Sequence, residues 1–233
     1  MLTIKGIQVS YGGSLILQGV DLSIQNGEIK ALMGKNGMGK TTLLKTIMGL
    51  LAPRSGEILL EGKALQGLRT HEIAASGIGY VPQGREIFND FTVWENLRLG
   101  LLGNPRKKRI IFDEIFEYFP ILAERQQQRA GSFSGGEQQM LAIARALVSH
   151  PKLLLLDEPS EGIQPSIVDQ ICDILRKINK QTGLTILIVE QNVDMLLNLA
   201  DSCAFMEKGQ ILESCSIQDV QADSTIIARH MTI

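Results

Sequence analysis

The stretch GKNGMGKT at residues 34–41, a match to G-x-x-x-x-G-K-[ST], constrains this chain more than any other part of it. It follows the short apolar run EIKALM and precedes TTLLKTIMGLL, whose apolar residues recur at helical spacing. A strand that passes through glycines into a helix turns successive backbone N–H groups inward, and the helix adds its positive end at the same point. Such a pocket takes phosphate oxygens. Gly34, Gly37 and Gly39 shape the loop, Lys40 reaches the β- and γ-phosphates, and the Thr41 hydroxyl is placed to ligate Mg²⁺. Asn36 and Thr42 join them as expected nucleotide contacts.

The apolar run at 153–156 ends in Asp157 and Glu158. A buried strand that ends in carboxylates presents them at the C-terminal edge of a parallel sheet, where ligands of open α/β folds bind. Asp157 is expected to hold Mg²⁺, directly or through water, and Glu158 to polarise the attacking water. Alone, this could be a strand closing in an acidic turn. Together with the glycine loop it describes a P-loop NTPase. Between the two lies SGGEQQ, just before the helical run QMLAIARAL. Ser134, Gly135, Gly136 and Glu137 at a helix start offer either an N-cap or a second anion site. The first loop already saturates its own nucleotide's phosphates. A head-to-tail pair, with this loop over the γ-phosphate of the other subunit, is the economical arrangement.

Composition narrows the partners. Lys plus Arg number 23 against 25 Asp plus Glu, a net charge of −2 that argues against nucleic-acid binding as the main activity. The basic cluster at 106–109 reads as a solvated helix entry. Three cysteines without a CxxC spacing and three scattered histidines suggest reduced thiols and no zinc site. The start MLTIKGIQVSY alternates like a strand rather than a signal peptide, and no apolar run is long enough to cross a bilayer. A membrane role would therefore come through partner subunits.

The order of the runs implies an α/β P-loop core with a parallel sheet, an N-terminal antiparallel β region and an inserted α-helical lobe at roughly 86–150, within one domain, 1–233. LLLLDEP and LTILIVEQ flank an amphipathic helix in βαβ order, and CAFMEKGQILES reads as a hairpin turning at Gly209. Asn26-Gly27 between two short runs is likewise a hairpin signal.

On these motifs the chain resembles the ATP-binding subunits of ABC transporters along essentially its whole length. Residues 34–41 resemble the Walker A loop, 153–158 the Walker B strand and FSGGE at 133–137 the signature motif. Gln83 in YVPQ resembles the Q-loop glutamine, a Mg²⁺ ligand and relay to the membrane subunits, and Tyr11 stands where the family stacks an aromatic ring on adenine. The resemblance implies ATP and Mg²⁺ as cofactors and a dimer of identical or paralogous ATPases. It also implies integral membrane permease partners, a periplasmic solute-binding protein at one remove, and a peripheral place on the cytoplasmic face of the inner membrane. Two positions depart from the family. Gln191 in IVEQN replaces the switch histidine, so a γ-phosphate hydrogen bond is available there without a proton or charge. Gln164 stands where an aspartate links the two sites. GIGYVPQGREIFNDFTVWENL, LLLLDEPSEGIQPSIV and IVEQN resemble the hydrophobic amino-acid and amide uptake group. EGIQPSI is most similar to urea transporters, with branched-chain amino-acid transporters the near alternative. A soluble ABC ATPase of DNA repair or translation is the rival from another class, but its long coiled-coil insertion or second cassette has no counterpart in these residues.

Overall fold

β1 (Leu2–Tyr11) and β2 (Ser14–Ile24) alternate buried and exposed residues and pair antiparallel around Gly12 and Gly13. The chain then changes sheets. β3 (Ile29–Met33) is buried at every residue, so neither of its faces can be left to solvent as in a two-stranded hairpin. Asn26-Gly27 accordingly turns no hairpin: β2 and β3 lie in different sheets, and the turn joins them. It is held by strands and helices far along the chain, Gly27 N–H donating to Thr185 Oγ1 at 2.9 Å and Gly27 O accepting from Asn179 Nδ2 at 2.7 Å. The structure, a computed structural model, describes residues 1–103, 112–223 and 225–231. The basic cluster at 106–109 lies outside them.

After α1 (Lys40–Ile47), β4 (Ser55–Leu60) and β5 (Lys63–Ala64) complete a four-stranded antiparallel sheet in the order β2-β1-β4-β5. α2 (Thr70–Ala75) leads into β6 (Ile78–Val81). A helical stretch follows, with α3 (Val93–Gly100), α4 (Phe112–Tyr118), α5 (Pro120–Glu124) and α6 (Gly135–Leu147). β7 (Leu153–Asp157), α7 (Pro165–Thr182) and β8 (Thr185–Glu190) form the expected βαβ unit, with β7 and β8 parallel. α8 (Val193–Leu199) precedes the hairpin of β9 (Ser202–Glu207) and β10 (Gln210–Ser216), and α9 (Ile217–Ala222) and α10 (Thr225–Met231) follow it. The second sheet runs β10-β9-β3-β8-β7-β6, parallel except at its β10 edge. The α/β class, the N-terminal antiparallel strands and the helical insertion are as expected.

β7 shows what holds the layers together. Leu154 and Leu156 pack into a cluster with Phe119, Leu141 and Leu175, while Leu153 and Leu155 pack into another with Leu17, Leu43 and Ile58. All four leucines are fully buried. Burying one such side chain contributes about 1.5–3 kcal/mol, so the strand is fixed from both faces and its acidic end is aimed without freedom. The three cysteines are free thiols, yet Cys203 and Cys215 face each other across β9 and β10 with Sγ atoms 3.4 Å apart. The hairpin turning at Gly209 sets this pairing, with the two cysteines on facing strands.

Candidate functional site

Parallel register brings three strand ends to one edge: Met33 lies opposite Glu190, and Asp157 opposite Val189. The 34–41 loop leaves β3 at that edge and closes into α1, whose N-cap is Gly39 at φ +106°. A Cβ at Gly34 would meet the Met206 carbonyl oxygen at 2.4 Å, so the loop can run this close to β9 only with glycine there. The β1–β2 hairpin packs on the same loop, since a Cβ at Gly39 would meet Leu17 Cδ2 at 2.9 Å. That places Tyr11, 48% exposed, on the hairpin flanking the loop. Asn36 and Gly37 are exposed at the loop's tip, and Thr41 and Thr42 are half-buried on the first turn of α1.

Lys40 is buried, and its ammonium is centred at the mouth of the loop. Nζ donates to Gly34 O at 2.7 Å and Lys35 O at 3.1 Å and pairs with Glu158 Oε1 at 3.3 Å. Thr41 Oγ1 donates to Asp157 Oδ1 at 3.0 Å, and Tyr80 OH donates to Asp157 Oδ2 at 3.3 Å. Burial pushes the Asp157 carboxyl above its usual range, against the lowering effect of the Thr41 and Tyr80 hydrogen bonds. Burial first, and then the charge of Asp157, push the Tyr80 phenol up as well. A desolvated carboxylate of this kind is a good partner for a hard cation. The donor set fits Mg²⁺: a threonine hydroxyl bonded to a carboxylate, beside a loop built for phosphates.

Glu158 stands one residue on, in a left-handed conformation at φ +47°, its N–H donating to Val189 O at 2.9 Å. Its Oε1 accepts from Gln191 Nε2 at 3.1 Å, and its Oε2 from Gln83 Nε2 at 3.4 Å. Gln83 also donates to Glu161 Oε2 at 3.0 Å, so it stands beside the acid pair and bonds neither Thr41 nor Asp157 directly. Lys40, Gln83 and Gln191, expected from separate motifs, thus converge on the Glu158 carboxylate. Gln164 is the N-cap residue of α7.

The Ser134 loop stands apart. Ser134 caps α6, its hydroxyl accepting from Glu137 N–H at 3.3 Å while the Glu137 carboxylate accepts from Ser134 N–H at 2.8 Å. Glu137 also pairs with Arg125 at 3.0 Å; although burial opposes it, the Ser134 hydrogen bonds and Arg125 hold its carboxyl below the usual range. Gly135 and Gly136 open the helix, and among the described residues no hydrogen bond joins residues 134–137 to the 34–41 loop.

Two residues at the site escaped the sequence reading. Tyr80 supports Asp157 from β6, and the Glu190 carboxylate accepts backbone N–H groups from Ser160, Gln191 and Asn192. The available signal for Glu190 was an acid closing an apolar strand, as at Asp157. Gln191→Ala is expected to slow ATP hydrolysis about ten- to a hundredfold, the effect of one hydrogen bond to a charged group felt in the transition state. A steady-state ATPase assay checks it, and a variant as inactive as Glu158→Gln would show that Gln191 does more than position.

Known proteins share this sequence pattern and fold. The profile of the family described as ABC transporter matches residues 17–161. The high-affinity branched-chain amino acid transport ATP-binding protein BraG of Pseudomonas aeruginosa is 45% identical over 213 residues, covering 91% of each chain. MJ1267, an ATP-binding cassette of an ABC transporter solved in its ADP conformation, superposes with a TM-score of 0.87 at 27% identity, over 100% of this chain and 99% of that one. The ATP-binding cassette MJ0796, a dimer in a post-hydrolysis state bound to ADP and Pi, superposes with a TM-score of 0.83 at 26% identity, over 93% and 99%. Among the described residues no helix is long and apolar enough to cross a membrane. With the family profile matching residues 17–161 and BraG 45% identical over 91% of both chains, the chain belongs to the ABC transporter family as one of its ATP-binding subunits, an ATPase coupled to transport.

Proposed function

We propose that this subunit powers the import of branched-chain amino acids, working as a head-to-tail pair beneath membrane permease subunits. The observation that carries the solute class is the 45% identity to BraG over 91% of both chains. That likeness extends over nine-tenths of the molecule, whereas the resemblance to urea transporters rests on the short stretches EGIQPSI and YVPQGREIF. The alternative weighed from sequence is therefore the better supported of the two. Solute itself is read by the permeases and a periplasmic binding protein, so this chain supplies closure energy and not selectivity.

The division of labour follows from the site. The 34–41 loop and Lys40 bind the ATP phosphates, with Asn36 and Thr42 alongside and Tyr11 against the adenine. Thr41, Asp157 and Gln83 would hold Mg²⁺, which would supply charge neutralisation at the phosphates. Glu158 polarises the attacking water, and Gln191 orients the γ-phosphate. Ser134, Gly135 and Gly136 lie over the nucleotide of the second subunit, and Glu137 keeps their helix start in shape through its cap. The whole chain, 1–233, acts as one domain with its helical lobe at roughly 86–150. Gln83 relays the state of the site to the membrane partner. Beside it a cavity of about 500 Å³ is lined by Tyr80, Glu86, Phe88, Leu99 and Leu102. Phe88 is 49% and Leu102 75% exposed, apolar surface suited to a short segment of the permease at the cytoplasmic face of the membrane.

Uptake of radiolabelled leucine and urea, measured side by side in deleted and complemented cells, tests the solute class. Loss of leucine uptake with normal urea uptake is expected. Loss of urea uptake alone would restore the urea assignment, and normal uptake of both with a defect in DNA repair or translation would end the transporter reading.

A further inference from the structure

We infer that Glu190 is a positioning residue for hydrolysis: one buried carboxylate that sets both Glu158 and Gln191. This rests on the reading of Glu158 as the group that polarises water. Glu190 ends β8 and is 3% exposed. Its Oε1 accepts Ser160 N–H at 2.9 Å, and its Oε2 accepts Gln191 N–H at 2.8 Å and Asn192 N–H at 2.9 Å. Three backbone donors from two loops thus converge on a single side chain, and among the described residues no cation pairs with it.

The need for such a clamp lies in the backbone of Glu158. At φ +47° it occupies the left-handed region, which a residue with a Cβ keeps only when its surroundings over-determine it. The end of β8 grips it from both sides. Val189 O takes the Glu158 N–H at 2.9 Å, and the next residue, Glu190, takes the N–H of Ser160, two positions beyond. The same carboxylate turns the chain at Gln191, from which Nε2 reaches Glu158 Oε1 at 3.1 Å. Asn192, the third donor, caps α8 through its side chain, so the clamp also ties the Gln191 turn to a rigid helix. Only an acid suits this place. A carboxylate presents acceptors alone, whereas a glutamine would turn an NH₂ toward at least one of the three donors.

The test is ATPase kinetics of the full chain with Glu190→Gln, Glu190→Asp and Gln191→Ala, singly and combined, with thermal melting as a control. For Glu190→Gln, kcat is expected to fall about 10- to 100-fold while KM for ATP stays within about twofold, the mark of a group felt in the transition state. In the Gln191→Ala background the further loss is expected to shrink to about a third or less of that effect, because part of the clamp's action passes through Gln191. Glu190→Asp keeps the charge and withdraws the oxygens by one methylene. It is expected to lose about three- to tenfold in kcat at unchanged KM, and it carries the test if the glutamine variant does not fold. Wild-type kcat in either folded variant, a rise in KM at constant kcat, or full additivity with Gln191→Ala overturns the inference. Undiminished hydrolysis in Glu158→Gln would instead overturn the reading on which it rests.

Discussion

Glu158→Gln is expected to keep ATP, lose hydrolysis by about 10²–10⁴-fold, the range of a positioned general base, and accumulate a closed dimer. The substitution preserves shape and removes only basicity and charge. Lys40, Thr41 and Asp157 keep their places, since Lys40 still has the Gly34 and Lys35 carbonyls at 2.7 and 3.1 Å and Thr41 still bonds Asp157 at 3.0 Å. Gln191 and Gln83, which donate to the two oxygens of Glu158, retain one acceptor between them. Removing the buried carboxylate that pairs with Lys40 at 3.3 Å leaves that ammonium to the phosphates, so ATP affinity is not expected to fall. Light scattering after size-exclusion chromatography, with and without ATP, reads the dimer, and phosphate release reads the chemistry. A Glu158→Gln chain that stays monomeric at saturating ATP would count against the nucleotide sandwich.

Ser134→Arg should separate binding from catalysis in the opposite sense to Lys40→Ala. Lys40→Ala removes the ammonium at the mouth of the loop and leaves the buried Glu158 without its cation, so ATP binding by the single chain is lost. Ser134 makes its hydrogen bonds inside the cap of α6. Its replacement leaves the monomer's ATP affinity near normal, at a cost of about 0.5–2 kcal/mol in helix capping that a melting curve will show. Hydrolysis is expected to be abolished, because a bulky cation replaces the hydroxyl proposed above to meet the other subunit's γ-phosphate. Mixing the two variants provides the control. Each mixed dimer rebuilds one composite site, from the intact loop of the Ser134→Arg chain and the intact Ser134 of the Lys40→Ala chain. Activity should reappear on mixing though neither variant has any. If Ser134→Arg weakened monomeric ATP binding as much as Lys40→Ala does, the assignment across the dimer would fail.

Much of the site was legible because its parts are contiguous. GKNGMGKT builds a phosphate cradle from neighbouring backbone groups, and four leucines followed by Asp157 and Glu158 describe a two-sided strand with its acids at the edge. The cap at Ser134 needs only Glu137, three residues on. What those residues would do together was not legible in the same way. Glu190 reads in sequence as one more acid after an apolar run, and only the placing of β8 beside β7 brings Ser160 N–H to the carboxylate that also accepts the neighbouring Gln191 N–H. Gln83 meets Glu158 and Glu161 for a related reason, since β6 lies at the edge of the sheet next to β7.

The turn at Asn26-Gly27 marks the boundary between the two kinds of information. Locally the pair favours a hairpin, and the hydrophobic pattern of β2 agrees. β3, however, is buried on both faces, and its pairing groups are satisfied by β8 and β9, more than 150 residues further along the chain. The sequence by itself determined the class of fold, the phosphate loop and the acidic strand end, because these rest on spacing within one element. Only the tertiary structure decided which strands are neighbours and which carboxylate serves which loop. Parallel pairing is selected by burial of whole faces across the chain, and no local pattern encodes that choice.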